Sequence, residues 1–195
     1  GVLIVDDTDH QRSKKTTKIA YAHKVFDKKT NGYFNGQTIV FLVLATPKVT
    51  IPVGFSFYVP DPAIKAWEKE EKKQKKQGVP KKERAPKPPR SPGFPTKTEL
   101  AGRLVQHFHE HHPEVKIKAV AGDNLYSTAA YMDGLRSLLG CQVLSSLKQS
   151  QLVVNKRKRL SVSEYFRRNP PTERTIRIRG DEEVTVFYHS ARLYV

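Results

Sequence analysis

Two aspartates that are far apart in the sequence each follow a short apolar run. Asp7 lies just after residues 2–5, and Asp123 follows residues 117–121. Two carboxylates that are brought close together repel each other unless a cation lies between them. Carboxylate oxygens are the hard ligands that Mg²⁺ and Mn²⁺ prefer, and two such ions can activate a water or hydroxyl for in-line phosphoryl transfer. The sequence therefore predicts that Asp7 and Asp123 are catalytic, metal-binding residues.

The pattern of apolar residues predicts the elements that position this pair. Continuous β-branched and aromatic runs are typical of buried strands, and apolar residues at helical spacing predict amphipathic helices. A strand that follows a crossover helix can lie parallel to the first strand, so both aspartates would lie where open α/β sheets place their sites. The predicted fold class is α/β, a mixed sheet of three antiparallel strands and then parallel strands with crossover helices. The predicted elements are strands at 2–6, 38–46, 49–59, 116–122, 141–145 and within 174–194, and helices at 97–112, 125–139 and 161–168.

Turn and capping residues refine this prediction at four places. Two Asn-Gly pairs, at 31–32 and 35–36, predict turns within the polar stretch 9–36, which is interpreted as a loop. Pro52 marks its strand as an edge strand or a bulge. Thr98 is the predicted N-cap of the first long amphipathic helix.

The charge of the chain indicates a polyanionic partner. The 195 residues include 35 Lys and Arg against 19 Asp and Glu, which gives a formal net charge of +16. This excess favours nucleic acid before an anionic membrane, and no apolar run approaches the roughly 18 residues that a membrane-spanning helix needs. Cys141 is the only cysteine, so no internal disulfide is expected and a reducing cytoplasm suits the chain.

A Lys- and Pro-rich segment interrupts the pattern of strands and helices at residues 61–96. It begins as a charged helix and continues as a Pro-rich stretch, which is typical of a partly disordered surface insertion. Two interpretations stay open for it: an arm that binds the DNA backbone, and a solvated linker. The predicted organisation is 1–60 as the first three strands of the core, 61–96 as insertion or linker, 97–147 as the remaining core, and 148–195 as the start of a truncated β-rich insertion.

Several motifs occur in a characteristic order and strand context. They are Val5-Asp6-Asp7-Thr8, Gly122-Asp123-Asn124, the segment HKVFDKKTNGYFNGQTIVFLVLAT, and SVSEYFRRN followed by TIRIRG and a hairpin turn at Gly180-Asp181. In this order they resemble the DDE transposases of bacterial insertion sequences, in particular those with a β-rich insertion in the catalytic domain. The resemblance covers most of the chain except residues 61–96. No single motif is specific, and strand context, spacing and order carry the resemblance together.

The resemblance implies an RNase H-like fold and a metal-dependent reaction on DNA. Such an enzyme cuts transposon ends by hydrolysis and joins the freed 3′-hydroxyl to target DNA, with Mg²⁺ or Mn²⁺ held by Asp7 and Asp123. It implies DNA as partner, a homodimer in the full-length synaptic complex, and a bacterial, nucleoid-associated location in the cytoplasm. The family's third acid is a glutamate on a helix after the β-rich insertion. It is expected beyond Val195, so this fragment alone is expected to be inactive.

Some assignments stay open at this point. The first ligand could shift by one position to Asp6, and Asp123 could simply cap the helix that follows it. Glu164 is a rival third acid, which would make the chain an RNase H-like nuclease. A non-catalytic nucleic-acid-binding remnant of a transposase is the alternative from a different functional class.

Basic, aromatic and histidine residues are further candidates for binding. Lysines and aromatics alternate in the stretch after Asp7, where they could hold phosphates and stack on bases or form a solvated loop. His107 and His111 lie four residues apart and could face one metal ion, but a solvated helix face is the favoured interpretation. The residues of the basic and aromatic stretch are Lys14, Lys15, Lys18, Tyr21, His23, Lys24, Phe26, Lys28, Lys29, Tyr33 and Phe34.

Overall fold

The computed structural model describes residues 1–15, 18–27, 29–155, 157–177 and 183–188. These residues form a mixed α/β fold, with one sheet of parallel and antiparallel strands and two further two-stranded sheets. The strands are β1 (Val2–Gln11), β2 (His23–Asp27), β3 (Gly32–Ala45), β4 (Thr50–Tyr58), β5 (Ala119–Gly122), β6 (Gln142–Ser145), β7 (Leu152–Asn155), β8 (Lys158–Ser161), β9 (Thr172–Arg177) and β10 (Glu183–Tyr188). The helices are α1 (Pro62–Lys76), α2 (Lys97–His111), α3 (Ala129–Leu139) and α4 (Val162–Arg168), with short 3₁₀ helices at Lys81–Glu83 and Asn124–Tyr126. Of these described helices, none is both long enough and apolar enough to cross a membrane.

Strand β1 lies at the centre of the main sheet. It pairs antiparallel with β3 along its whole length, from Val2 opposite Ala45 to Gln11 opposite Gly36, and parallel with β5 from Val2 to Val5. Strand β6 continues the sheet parallel to β5, and both β2 and β4 pair antiparallel with β3. The predicted mixed sheet of antiparallel and parallel strands is therefore confirmed.

One face of the main sheet is covered and forms the core. Alternate residues of a strand share a face, and Val5, opposite Leu42, is buried together with Leu3 on this side of β1. Helix α2 packs over these residues, and fully burying each large apolar side chain contributes about 1.5–3 kcal/mol. The buried residues of α2 are Leu100, Ala101, Val105 and Phe108.

The region between β1 and β3 differs from the predicted loop. Residues 23–27 form strand β2, which pairs with the first residues of β3 across a turn that contains Asn31. Val25 is the one buried residue of β2, so this strand has no apolar run that would reveal it in the sequence. The predicted turn at 35–36 is wrong because both residues lie within β3. Gly36 meets a packing requirement there, since a Cβ would come within 2.8 Å of the His10 carbonyl oxygen.

Strand β4 behaves as its proline predicts. It lies at the edge of the sheet and pairs only with β3 among the described strands. Its register shifts between Leu42 and Val43, which lies opposite Pro52. Both the edge position and the irregularity are therefore confirmed.

The N-cap of α2 and the start of α3 differ from the predictions. Helix α2 is capped by Thr96, whose hydroxyl accepts from the Glu99 backbone N–H while the Glu99 carboxylate accepts from the Thr96 N–H. This reciprocal capping box requires an acid three residues after the cap, so the predicted cap at Thr98 is wrong. The predicted helix at 125–139 is divided into the 3₁₀ helix Asn124–Tyr126 and α3.

The described residues between 152 and 188 form short strands around one short helix. Strands β7 and β8 form a hairpin that the sequence pattern did not reveal, and α4 closely matches the helix predicted at 161–168. Strands β9 and β10 pair antiparallel, with Arg177 opposite Glu183. The predicted hairpin turn at Gly180-Asp181 lies outside the described residues, as do residues 189–194.

Candidate active site

The middle of β1 and the carboxyl end of β5 place Asp7 and Asp123 in one cleft. The two strands pair in parallel up to Val5 opposite Gly122; Asp123 directly follows β5, whereas Asp7 lies within β1, which continues to Gln11 and so extends beyond the strand predicted at 2–6. An open cleft of about 730 Å³ lies at this edge, and both residues line it. The structure therefore brings together the two acids that the sequence separates by more than one hundred residues.

Asp7 is held by two long-range contacts. It lies on the same face of β1 as Leu3 and Val5, so its carboxylate is only partly exposed, with 17% of the side chain accessible. The Lys97 ammonium donates to one carboxylate oxygen at 2.5 Å, and the Tyr126 hydroxyl donates to the other at 3.4 Å. A carboxylate in this partly buried position needs a positive partner, and Lys97 from the first turn of α2 supplies it.

Tyr126 connects the two aspartates. It belongs to the 3₁₀ helix that follows Asp123, and it is almost fully buried at 1% exposure. Burial, reinforced by the negative charge of Asp7, raises the pKa of Tyr126 above its usual value, so its hydroxyl stays protonated and can donate. Gly122 allows the close approach, because a Cβ there would lie 3.1 Å from the Tyr126 Cβ.

Asp123 combines a structural role with a position in the cleft. One of its carboxylate oxygens accepts from the Leu125 backbone N–H at 2.8 Å, which caps the 3₁₀ helix. Its backbone carbonyl accepts from the Ser145 hydroxyl at 2.5 Å, which ties the end of β5 to the end of β6. The capping interpretation of Asp123 is therefore correct, and the same side chain remains exposed at the wall of the cleft.

The described part of the cleft wall carries five aspartates and three lysines. Two further acids of the cleft, Asp9 and Asp27, accept hydrogen bonds from threonine hydroxyls. Asp9 accepts from the Thr38 hydroxyl at 2.5 Å, and Asp27 accepts from the Thr30 hydroxyl and the Lys29 N–H, which lower the pKa of the Asp27 carboxyl. Sequence reasoning did not single out Asp9, Asp27 or Lys148 as site residues. The charged lining residues are Asp6, Asp7, Asp9, Asp27, Asp123, Lys29, Lys97 and Lys148.

The donor atoms of the cleft suit a divalent cation of the magnesium type. Asp7 and Asp123 present carboxylate oxygens to the same cleft, and the Lys97 ammonium pairs with Asp7. Hard oxygen donors of this kind bind Mg²⁺ and Mn²⁺ in preference to softer metals. Among the described residues, no three Asp, Glu, His or Cys side chains are arranged to surround an ion.

Glu164 lies away from this cleft. It occupies the first turn of α4, and its carboxylate pairs with Arg168 and Arg167 of the same helix. It is absent from the described residues that line the cleft. These contacts are those of a residue that stabilises its own helix by ion pairs between successive turns.

The other predicted binding residues divide between the cleft and the surface. Phe26, Phe34 and Lys29 line the cleft, whereas Tyr21 stacks on Phe57 with ring centroids 5.0 Å apart. Lys28 lies outside the described residues. On α2, the exposed rings of His107 and His111 stack at 4.0 Å, and His111 Nδ1 lies 2.8 Å from the His107 carbonyl oxygen.

Replacing Lys97 with methionine is expected to destabilise the protein in EDTA by about 1–3 kcal/mol, because a partly buried carboxylate loses its charged donor. Addition of Mn²⁺ should recover part of this loss, since a divalent cation can neutralise the aspartates in place of the ammonium. Urea denaturation with and without Mn²⁺ measures both effects.

The matched control for this substitution is Lys65→Met. Lys65 pairs with Glu68 at 3.3 Å on the surface of α1, and both side chains are largely exposed. Exposed pairs contribute roughly 0–1 kcal/mol, so this variant should be nearly neutral and insensitive to Mn²⁺. Equal losses in the two variants, or a Lys97→Met loss that Mn²⁺ leaves unchanged, would contradict the role of Lys97 at Asp7.

Comparison with known proteins identifies the family. Neither the curated proteins nor the solved structures contain a significant match to the chain. The family described as DDE superfamily endonuclease matches residues 1–188. This match spans both strand ends that carry the acids of the cleft, and it covers nearly the whole chain. The protein belongs to the DDE superfamily endonuclease family.

Proposed function

We propose that this chain is an RNase H-like catalytic domain of a DNA transposase from a bacterial insertion sequence. It cuts transposon ends by metal-dependent hydrolysis and joins the freed 3′-hydroxyl to target DNA. One observation carries the proposal. Asp7 lies within β1 just beyond the residues that pair in parallel with β5, Asp123 directly follows β5, and both line the same acidic cleft in a chain whose net charge is +16. Acids concentrated in one cleft of a basic protein fit a metal site that receives a polyanion.

Asp7 and Asp123 are the proposed ligands of Mg²⁺ or Mn²⁺. When bound, the metal supplies Lewis-acid stabilisation and activates the attacking oxygen for in-line phosphoryl transfer. Tyr126 and Lys97 hold the Asp7 carboxylate between two donors, so that its orientation does not depend on bound substrate. Lys29 and Lys148 on the cleft wall are placed to contact phosphates of the DNA.

The wider assignments follow from the family and the resemblance together. The partner is DNA, as transposon ends and target, and the complete synaptic complex is a homodimer in the bacterial cytoplasm, associated with the nucleoid. Residues 1–60 and 97–147 are the catalytic core, and 148–195 belong to a β-rich insertion. The third acid is proposed to be a glutamate other than Glu164, whose carboxylate pairs with arginines of its own helix and does not line the cleft.

Isothermal titration with Mn²⁺ tests the proposed metal site. The wild-type chain should bind Mn²⁺, and an Asp7→Ala, Asp123→Ala double variant should lose most of this binding because two of the proposed ligands are gone. An Asp133→Ala, Glu114→Ala double variant is the control, since it removes the same charge from two exposed acids outside the cleft. Equal Mn²⁺ binding by wild type and the cleft variant would refute the assignment of these aspartates.

A non-catalytic DNA-binding module is the second candidate. Among the described residues, no group of three acids is arranged to hold a metal ion, and this favours it. In that case the chain would bind duplex DNA equally well in EDTA and in Mn²⁺, and the titration would show no binding that depends on the cleft. Binding of Mn²⁺ that requires both aspartates would exclude this candidate.

A further inference from the structure

Residues 61–96, here called the arm, fold back on themselves as a helix and a returning extended segment. The two legs of the arm are α1 and the returning segment that includes Ser91. Asp61, which is 2% exposed, connects them where the arm leaves the core. One of its carboxylate oxygens accepts from the Ala63 N–H and caps α1, and the other accepts from the Ser91 N–H of the returning leg at 2.8 Å. The arm is therefore an ordered hairpin-like unit with a fixed root.

One face of α1 packs against the returning leg. Ile64 is buried at 4% exposure, and the Trp67 indole N–H donates to the Ala85 carbonyl at 2.8 Å. One helical turn later, Glu71 pairs with Arg84 at 2.9 Å. These contacts fix the rotation of α1 about its axis, and they therefore also fix which residues face outward.

The outward face of α1 is a stripe of lysines. Residues spaced by three and four lie on one side of a helix, and Lys65, Lys69, Lys72 and Lys76 have the spacing four, three, four. All four are exposed, and they lie opposite Trp67. Lys69, Lys72 and Lys76 form no ion pair with any described residue. With a rise of 1.5 Å per residue the stripe is about 16 Å long, which matches roughly five phosphates along one DNA strand at 3.4 Å of axial rise each.

The root of the arm lies beside the candidate active site. The arm leaves the sheet after β4, which ends at Tyr58, and it returns at Lys97, the first residue of α2. The Lys97 ammonium lies 5.5 Å from the centre of the Tyr58 ring and also contacts Asp7 at 2.5 Å. Both ends of the arm therefore join the core at the edge that carries the acidic cleft.

We propose that the lysine stripe of the arm binds the phosphate backbone of duplex DNA next to the cleft. The inference rests on the proposed function for the identity of the polyanion, and it adds a binding surface distinct from the residues of the cleft. A merely solvated linker needs neither the buried Asp61 nor a helix face reserved for lysine. Insertion into an anionic membrane would need a free apolar face, whereas Ile64 is buried and the Trp67 indole is bonded to Ala85 within the arm.

The test compares two variants that lose the same charge from opposite ends of the sheet. Lys69→Gln, Lys72→Gln, Lys76→Gln removes three of the four lysines of the stripe and leaves Lys65, which pairs with Glu68. Lys48→Gln, Lys116→Gln, Lys118→Gln removes three exposed lysines near the edge opposite the cleft. Fluorescence anisotropy with a 30-base-pair duplex in EDTA, over a range of NaCl concentrations, measures affinity and its salt dependence. EDTA keeps the measurement independent of metal binding, so failure of the metal titration and failure of the arm remain distinguishable.

The stripe variant should bind the duplex roughly tenfold more weakly at low salt, with a salt slope smaller by about 2–3, because each phosphate contact contributes about 0.9 to that slope. The control variant should change the slope by less than about 1. Equal losses in both variants would show only a general charge effect and would overturn the proposal, as would no loss in either. Loss of binding to anionic vesicles with unchanged DNA binding would overturn it in favour of a membrane surface.

Discussion

Replacing Asp7 with asparagine is expected to reduce metal-dependent DNA cleavage by more than about 100-fold, because even partners of metal ligands cost 10–100-fold when they are removed. Asparagine keeps the size of the side chain, but its single carbonyl oxygen can accept from only one of Lys97 and Tyr126, which bond to different oxygens of Asp7. The substitution removes the negative charge of a proposed ligand and changes the volume of the side chain very little. Nicking of supercoiled DNA by the full-length protein in Mg²⁺ or Mn²⁺ measures the loss.

A second readout of the Asp7→Asn variant does not depend on turnover. A ligand that binds only the native state raises its stability, so Mn²⁺ should raise the melting temperature of the wild type and have little effect on the variant. Asp27→Asn is the control within the same cleft, because the Asp27 carboxylate is engaged by Thr30 and Lys29 in a local turn. Cleavage and a Mn²⁺-induced rise in melting temperature that both persist in Asp7→Asn would exclude Asp7 as a ligand.

Replacing Leu42 with alanine is expected to lower the free energy of unfolding by about 2–5 kcal/mol, the range for large-to-small changes in well-packed cores. Leu42 is 1% exposed and lies opposite Val5 at the centre of the sheet. Its removal leaves a cavity beneath α2, in the face of the sheet on which Asp7 also lies. Denaturation by urea, monitored by far-UV circular dichroism, measures the change.

Leu144→Ala is the matched control for this prediction. It deletes the same atoms from β6, but Leu144 is 53% exposed, so a loss below about 1 kcal/mol is expected for a surface position of this kind. The pair compares a leucine buried beneath α2 with one that solvent reaches. Similar losses for the two variants would mean that burial beneath α2 does not provide the main stabilisation of the sheet.

The sequence by itself determined the type and order of the core elements. The continuous apolar runs before Asp7 and Asp123 predict the buried strands β1 and β5, and the intervening amphipathic pattern predicts α2. Since a crossover helix places the next strand parallel, the edge where both acids lie follows from local patterns together with one topological rule. The excess of basic residues likewise indicated a polyanionic partner without any knowledge of the fold.

Short strands and helix boundaries needed more than a pattern. Strand β2 buries only Val25, so its residues form a strand mainly because they are hydrogen-bonded to β3. The sequence offers Thr96 and Thr98 as possible N-caps of α2. The reciprocal hydrogen bonds between Thr96 and Glu99 decide for Thr96. In both cases several local choices have similar energies, and hydrogen bonding to a specific neighbour decides between them.

Only the tertiary structure decided what surrounds Asp7. Lys97 and Tyr126 reach its carboxylate across 90 and 119 residues of sequence, and neither residue belongs to a motif that marks it. These contacts depend on the sheet register, on the packing of α2, and on the absence of a side chain at Gly122. Spacing along the chain carries no information about such distances, because they arise when separate elements pack together. For the same reason, sequence could propose the arm as a DNA-binding segment, but only its folding on Asp61 and Trp67 showed which lysines form one exposed face.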